Sequence, residues 1–267
     1  MAFIDKYRQQ IRENVPVVYN DLEFHPLAVR DWAAYTAGKQ SYELMLSSLK
    51  DPKLARLSWC ACLWGLDREC EKQTGEVGTL LASALYVMVL ALRLNADHNG
   101  TYPMRPVFAQ DGQLTAIAVG TPQLDYTLFD MRQMDDVRQI IAEQNAYDLP
   151  NENWNPELVR AAQENAARGS ASLKYDMEDL IYSVALQSGQ RAADVYGWSI
   201  REFMKMQNAI DRKLGYIICA TAEYSGTAFK NGNPYPTWKF ERQSDMPAGF
   251  RTIADIDAST QGLIAGT

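Results

Sequence analysis

Hydrophobic residues recur at helical spacing along most of the chain, with polar and charged residues between them. In the first quarter this pattern predicts helices that are separated at Pro16, Gly38 and the Asp51-Pro52 pair, because proline and glycine interrupt helices and Asp-Pro is typical of a helix start. These predicted helices run over 3–14, from Val29 to Gly38, over Tyr42–Leu49 and over Lys53–Lys72.

The longest apolar run extends from Leu80 to Leu92, inside a predicted helix over about Val77–Leu94. Its 13 residues fall short of the roughly 20 that cross a hydrocarbon core,. Ser83 and several alanines within the run suit a helix surrounded by other helices,. The run therefore favours a central core helix over a membrane segment.

Two stretches carry strand patterns instead. Asp111-Gly112 separates two alternating runs, and this arrangement predicts a β-hairpin over about 104–119,. An isolated hairpin is marginally stable, so it must pack on the helices, extend a small sheet or contact a partner. Val17–Tyr19 and Leu22–Phe24 either pair as two short strands or form an extended segment.

Helical spacing returns in the second half. Predicted helices start at about Asp135 and cover Glu157–Arg168, Met177–Gln190 and Ser199 to about Ala222, where Ser199 and Glu202 form a capping box,. The predicted fold class is mainly α, a multi-helix bundle with one inserted β-hairpin. The predicted organisation is an N-terminal helical lobe with the hairpin (1–125), a C-terminal helical lobe (126–240) and a flexible tail (241–267).

Composition narrows the function classes. The chain has 267 residues, 26 Lys plus Arg against 33 Asp plus Glu, and a formal net charge of −7. This excess of acidic residues argues against a protein whose main role is to bind nucleic acid, because binding to phosphate groups needs clustered positive charge. The N-terminus has no apolar region typical of a secretory signal,. The four cysteines form no C-x-x-C pair, and with two histidines no structural zinc pattern results,.

The sequence holds no recognisable catalytic motif for a serine hydrolase, a phosphate-binding loop, a dinucleotide site or a zinc protease,. His25 and His98 lie in loop-like contexts without an evident orienting partner,. One acidic stretch is a candidate metal or catalytic site, although acids at a helix N-terminus are also common because they favour the helix dipole. Its members are Asp125, Asp130, Asp135, Asp136 and Glu143.

Aromatic residues are concentrated in the last quarter of the chain. In a segment rich in proline and glycine they are hard to bury in a core, and aromatic side chains presented from such a segment suit protein recognition. Folding back of Trp238 onto the bundle as an anchor is the alternative. The candidate partner-binding residues are Trp198, Phe229, Tyr235, Trp238 and Phe240.

An ordered series of short blocks adds a resemblance. Phe129-Asp130 and Asp136–Asn145 fit an FD…ψR-x-ψψ-x-E-Q-N pattern, in which ψ is aliphatic. Further blocks follow in order: Asn155–Leu158, Glu178–Ile181, Gly197–Ile200, Arg212–Ile217, Phe229-Lys230 and Pro236–Trp238. Over about 20–240 the chain resembles proteins encoded in the morphogenesis modules of tailed phages and prophages of Gram-positive hosts, among them tail assembly chaperones and neighbouring structural components.

The resemblance implies a non-enzymatic protein without cofactor or metal. It implies binding to the tape-measure or tail-tube protein during tail assembly in the host cytoplasm, with no nucleic-acid or membrane partner. Two alternatives stay open. One is a structural component of the phage neck, tail or baseplate that uses the hairpin to add an edge strand to a neighbour. The other is an enzyme with an acidic site at Asp130, Asp135 and Asp136.

Overall fold

A computed structural model describes residues 3–120, 126–152, 155, 157–159, 161, 176–226, 228–229 and 233–239. The predicted tail over 241–267 and Phe240 lie outside the described residues. Helices with described bounds are α1 (Arg8–Arg12), α2 (Trp32–Tyr42), α3 (Trp59–Thr74), α4 (Leu80–Ala91), α5 (Met131–Asn145), α6 (Met177–Ser188), α7 (Ala192–Val195) and α8 (Ile200–Tyr224). Residues 157–159 and 161 are also helical, and the rest of the predicted helix Glu157–Arg168 lies outside the described residues. Short 3₁₀ turns cover Phe3–Tyr7, Val29–Asp31, Leu46–Ser48 and Leu54–Arg56.

Most of the described elements are helices, and the two antiparallel sheets are small. The predicted mainly α fold class is therefore confirmed. Strands β1 (Val17–Tyr19) and β2 (Leu22–Phe24) pair as a short hairpin. The predicted hairpin around Asp111-Gly112 forms β3 (Met104–Phe108) and β4 (Leu114–Gly120). A third strand, β5 (Tyr126–Asp130), pairs with β4 and leads directly into α5, giving the order β3-β4-β5.

The main core lies between the helices α2 to α5 and the inner face of the three-stranded sheet. Its centre is a column of aromatic rings in which Tyr35 and Tyr42 stack on either side of Tyr147, with centroids 4.5 and 4.8 Å away, and Trp59 follows 5.0 Å from Tyr42. The predicted core helix is α4, and Ala84, Val87 and Met88 are among its buried residues, which confirms that prediction.

The boundaries of α2 differ from the prediction. The helix runs through Gly38, since the missing side chain lets α4 approach: a Cβ there would lie 2.6 Å from Cγ2 of Val87. The predicted helix over Tyr42–Leu49 is wrong, because α2 ends at Tyr42. The Arg138 guanidinium binds the carbonyl oxygens of Tyr42 and Leu44, which a continuing helix would use internally,.

The start of α3 also differs. The predicted helix from Lys53 is wrong over its first turn and a half, which instead forms the 3₁₀ turn at Leu54–Arg56. Helix α3 begins at Trp59, whose amide donates to Asp135 Oδ1 at 2.9 Å. A distant carboxylate therefore fixes where the helix begins.

A second, smaller core joins α6, α7 and the first part of α8. Ile181, Val184, Val195 and Phe203 are buried there together with Val29. The apolar residues of β5 and α5 belong instead to the main core. The predicted boundary between two lobes at residue 125 stays a prediction, and the two cores share residues of α8, since Ile200 is buried in the main core.

His25 follows β2 and links this strand to the end of α4. Its backbone amide donates to the Ala91 carbonyl at 2.7 Å, and its imidazole lies 3.5 Å from a carboxylate oxygen of Glu23. Burial of the ring lowers the pKa of His25, the positive charge of Arg93 lowers it further, and Glu23 opposes the change,. The folded protein therefore resists protonation of this side chain.

We expect stability to fall below pH 6.5, the ordinary pKa of histidine, because the unfolded chain binds a proton there that the folded protein takes up only at lower pH,. The lowered pKa stabilises the fold above pH 6.5, and this contribution disappears as the pH falls through the folded-state pKa. The slope from one group is at most about 1.4 kcal/mol per pH unit. Urea unfolding at pH 7.5, 6.5 and 5.5 measures it.

His25→Gln should flatten this dependence, and His98→Gln, which alters an exposed turn, should keep it. Equal slopes for the wild-type protein and His25→Gln would contradict the assignment.

Candidate protein-docking surface

Helix α8 carries one apolar stripe along its whole length. The stripe is Phe203, Ile210, Leu214, Ile217 and Tyr224, whose spacings of three, four and seven residues place them on one side of a helix,. Phe203 is fully buried, whereas Leu214, Ile217 and Tyr224 are 44%, 48% and 94% exposed. The stripe therefore begins as core and continues as surface.

The change follows from the lengths of the packed helices. Helix α6 has 12 residues and α8 has 25, which correspond to about 18 and 37 Å at 1.5 Å per residue,. Within the described part of the chain, Cys219 is the single buried residue of α8 after Phe203. The second half of α8 thus extends beyond the core that its first half helps to form.

The start of α8 is held firmly. Ser199 caps the helix by accepting a hydrogen bond from the Glu202 amide, which confirms the predicted start,. The Ile200 amide donates to the Leu27 carbonyl and the Val29 amide to the Trp198 carbonyl, both at 2.9 Å. The direction of α8 is therefore fixed by backbone hydrogen bonds to the segment after β2.

A groove of about 250 Å³ lies between α6 and α8, beside the exposed stripe. Leu180 and Val184 line it from α6, and Ile210 and Leu214 from α8. Leu186, at the end of α6, lines it too and is largely exposed. We call the groove together with Ile217, Ile218 and Tyr224 the α8 surface. Its apolar side chains are bordered by Ser183, Gln207 and Asp211, which also line the groove.

The aromatic segment at 233–239 packs on a different side of α8. A Cβ on Gly215 would lie 3.0 Å from ring atoms of Tyr235, so glycine is what allows this ring to approach the helix. Tyr235 and Trp238 are both exposed. Tyr235 thus combines a contact to α8 with exposed aromatic surface, and Trp238 contributes exposed aromatic surface.

The other candidate partner-binding residues lie apart from Tyr235 and Trp238. Trp198 is half-buried and packs against the second core. Phe229 is half-buried, and Phe240 lies outside the described residues. A role in partner binding stays a prediction for all five. The exposed half of the α8 stripe is not among the residues that the sequence analysis selects for partner binding. Its helical spacing can be recognised in the sequence, but the sequence does not show how much of the stripe α6 covers.

The acidic candidates have structural hydrogen bonds. Asp130 caps α5 by accepting from the Gln133 amide at 2.8 Å, Asp135 caps α3, and Asp136 accepts from the Tyr19 hydroxyl at 2.8 Å. Burial raises the pKa of Asp135, and the Trp59 amide and Arg138 oppose this change,. Glu143 is exposed on α5, and Asp125 lies outside the described residues. The structure thus gives these three aspartates roles in folding.

Among the residues that the structure describes, no group of three or more His, Cys, Asp or Glu side chains is placed to hold a metal ion. No helix in these described ranges is both long and apolar enough to cross a membrane. No family model, curated protein or solved structure matches the chain.

Proposed function

We propose that this protein is a tail assembly chaperone of a tailed phage. It binds the tape-measure or tail-tube protein in the host cytoplasm during virion assembly and is not an enzyme. Its partner docks on the α8 surface. The ordered sequence blocks support the phage assignment, and the observation that carries the docking role is the exposed continuation of a core stripe to Tyr224.

The physical reason is the cost of leaving this stripe in water. Burial of apolar surface contributes about 25 cal/mol per Å², so covering Leu214, Ile217, Ile218 and Tyr224 stabilises a complex by several kcal/mol before the costs of association,. A chaperone needs such a surface to cover apolar segments of an unassembled partner. Exposed aromatic side chains at Tyr235 and Trp238 extend the area available for contact,.

The test is co-expression with the tape-measure protein and with the tail-tube protein, followed by affinity purification. We expect a stable complex with one of them. Ile217→Glu and Tyr224→Glu should each weaken binding at least about tenfold, because each places a charge in the apolar contact. Trp238→Ala should weaken binding if the aromatic segment takes part.

Asn208→Glu is the matched control. It adds the same charge to α8 at an exposed position nine residues before Ile217, about two and a half turns away and therefore on the opposite side of the helix,. It should bind like the wild-type protein. Failure to form a complex at micromolar concentrations with either tail protein, or equal loss in all three glutamate variants, would contradict the proposal.

A structural component of the virion is the second candidate, and the edge of β5 favours it because an edge strand can pair with a neighbouring subunit,. Mass spectrometry of purified particles separates the two candidates. A chaperone is absent from the particle, whereas a structural subunit is present at fixed stoichiometry.

A further inference from the structure

The two edges of the three-stranded sheet differ in their capacity to pair. Val107 and Arg105 of β3 pair with Ala116 and Ala118 of β4. In an antiparallel ladder, successive residues direct their backbone N–H and C=O groups alternately toward the partner strand and away from it. The backbone groups of Met104 and Pro106 therefore point to the outer edge of β3. Pro106 has no N–H to donate, and the Met104 amide donates to the Tyr102 carbonyl at 2.7 Å,. A register shift also follows at Val107/Phe108. This edge is closed to a further strand.

The β5 edge has no proline and no register shift, and its one locally bound amide is that of Asp130, at the end of the strand. The Asp130 amide donates to Gln133 Oε1 and therefore points away from β4. Leu128 and Tyr126 lie two and four residues before Asp130, so by the same alternation their backbone groups also point away from β4,. Tyr126 and Leu128 are 50% and 59% exposed. The strand contains no proline, lysine or arginine, the residues that commonly prevent edge pairing,. Within the described residues, the sheet ends at an open edge.

We propose that β5 pairs with β5 of a second copy of this chain, antiparallel and with Leu128 on the twofold axis. Each Leu128 amide then donates to the Leu128 carbonyl of the other copy. Each Tyr126 then lies opposite Asp130 of the other copy, whose carbonyl already accepts the first hydrogen bond of α5 and whose amide donates to Gln133,. The two sheets join into one of six strands, and the two Leu128 side chains meet on its outer face.

Charge complementarity supports a second copy as the occupant. The Arg105 guanidinium lies over the Tyr126 ring, 4.8 Å from its centroid, on the outer face of the sheet. In the proposed register Asp130 of the second copy is directly opposite Tyr126, and directly opposed residues lie on the same face. The carboxylate of one copy therefore comes next to the guanidinium of the other. The twofold axis repeats this pairing, so both ends of the short interface are stabilised.

The test is sedimentation equilibrium of the full chain over a wide concentration range. We expect a reversible dimer. Leu128→Lys should raise its dissociation constant at least about tenfold, because two lysines then oppose each other at the axis. Leu128→Glu should do the same. An equimolar mixture of these two variants should regain the dimer, and this recovery also shows that both variants fold.

Val77→Lys adds the same charge at an exposed position outside the sheets and should dimerise normally. A Cys70→Ser background removes the exposed native thiol. In it, Leu128→Cys should cross-link with oxidised glutathione, since Cα atoms in such a pair are about 5.5 Å apart and suit a disulfide. Tyr126→Cys, opposite Asp130, should not cross-link.

A monomer at all concentrations, or a dimer unaffected by Leu128→Lys, would overturn the proposal. The inference does not depend on the α8 surface. A dimer lost in Ile217→Glu but kept in Leu128→Lys would show that α8, and not β5, holds two copies together. Binding of a tail protein can fail while the β5 dimer persists, so the two proposals are tested separately.

Discussion

Replacement of Arg138 by methionine is expected to lower the free energy of unfolding by about 3 kcal/mol, because a buried group with three charged hydrogen bonds is removed. The guanidinium donates from Nε and Nη2 to the Tyr42 carbonyl, at 3.0 and 2.8 Å, and from Nη2 to the Leu44 carbonyl at 2.6 Å. It also lies over the Trp59 ring, 5.5 Å from its centroid. Methionine fills part of the volume but leaves both carbonyl oxygens without this donor.

Urea unfolding followed by circular dichroism measures the loss. Arg138→Lys should give an intermediate result, because one ammonium group cannot reproduce the planar fork that reaches both carbonyls. Arg132→Met is the matched control: it lies on the same helix, is exposed, and should change the free energy of unfolding by less than about 0.5 kcal/mol,. A loss below about 1 kcal/mol for Arg138→Met would contradict the expectation and show that water satisfies the two carbonyl oxygens nearly as well as the guanidinium does.

Arg138 also shows why local sequence predicts some helix boundaries and not others. The start of α8 depends on Ser199 and the amide of Glu202, three residues apart, and the prediction there is correct. The end of α2 and the start of α3 depend on Arg138 and Asp135, which lie more than 70 residues away in the sequence. Propensity and capping patterns cannot contain that information, so the predictions over 42–58 are wrong.

The three-stranded sheet also contains elements that local sequence predicts and elements that it does not. Asp111-Gly112 predicts the turn between β3 and β4 because both central residues and both flanking runs are local,. Strand β5 is not predicted. Its sequence from Tyr126 to Phe129 is only four residues long, does not alternate strictly and precedes a helix start, so its pairing with β4 decides its structure. The stripe of α8 is visible in the sequence, but its exposure depends on the length of α6.

The blocks that carry the resemblance have a structural explanation. Asp130 caps α5, Arg138 holds the end of α2, Gln144 donates to the Phe24 carbonyl, and Asn145 accepts from the Leu27 amide. The pattern around α5 therefore describes how this helix binds its neighbours within the core. The block Arg212–Ile217 lies instead on α8, where Leu214 and Ile217 belong to the proposed docking surface.

Asp67 is a second residue whose role is visible only in the folded chain. It lies on α3, and its two carboxylate oxygens accept hydrogen bonds from the Leu80 and Leu81 amides, both at 2.9 Å, which caps the first turn of α4. The side chain is buried. A cap is usually supplied by the residue just before the helix, but here it comes from a neighbouring helix and joins α3 to α4.

We expect Asp67→Ala to lower the free energy of unfolding by about 3 kcal/mol, since two amides at the start of a buried helix lose their acceptor. Asp67→Asn should lower it less, because one amide oxygen still accepts while the NH₂ group faces a donor. Asp176→Ala removes an exposed cap of α6 with one hydrogen bond and should cost about 1 kcal/mol,.

Urea unfolding of these three variants ranks the two caps. Hydrogen exchange adds a local measurement: in Asp67→Ala the amides of Leu80 and Leu81 should exchange faster relative to those in the middle of α4, because their acceptor is lost while the helix remains. If Asp67→Ala and Asp176→Ala cost the same, the buried carboxylate contributes no more than an ordinary surface cap. The contact between α3 and α4 then depends on apolar packing alone.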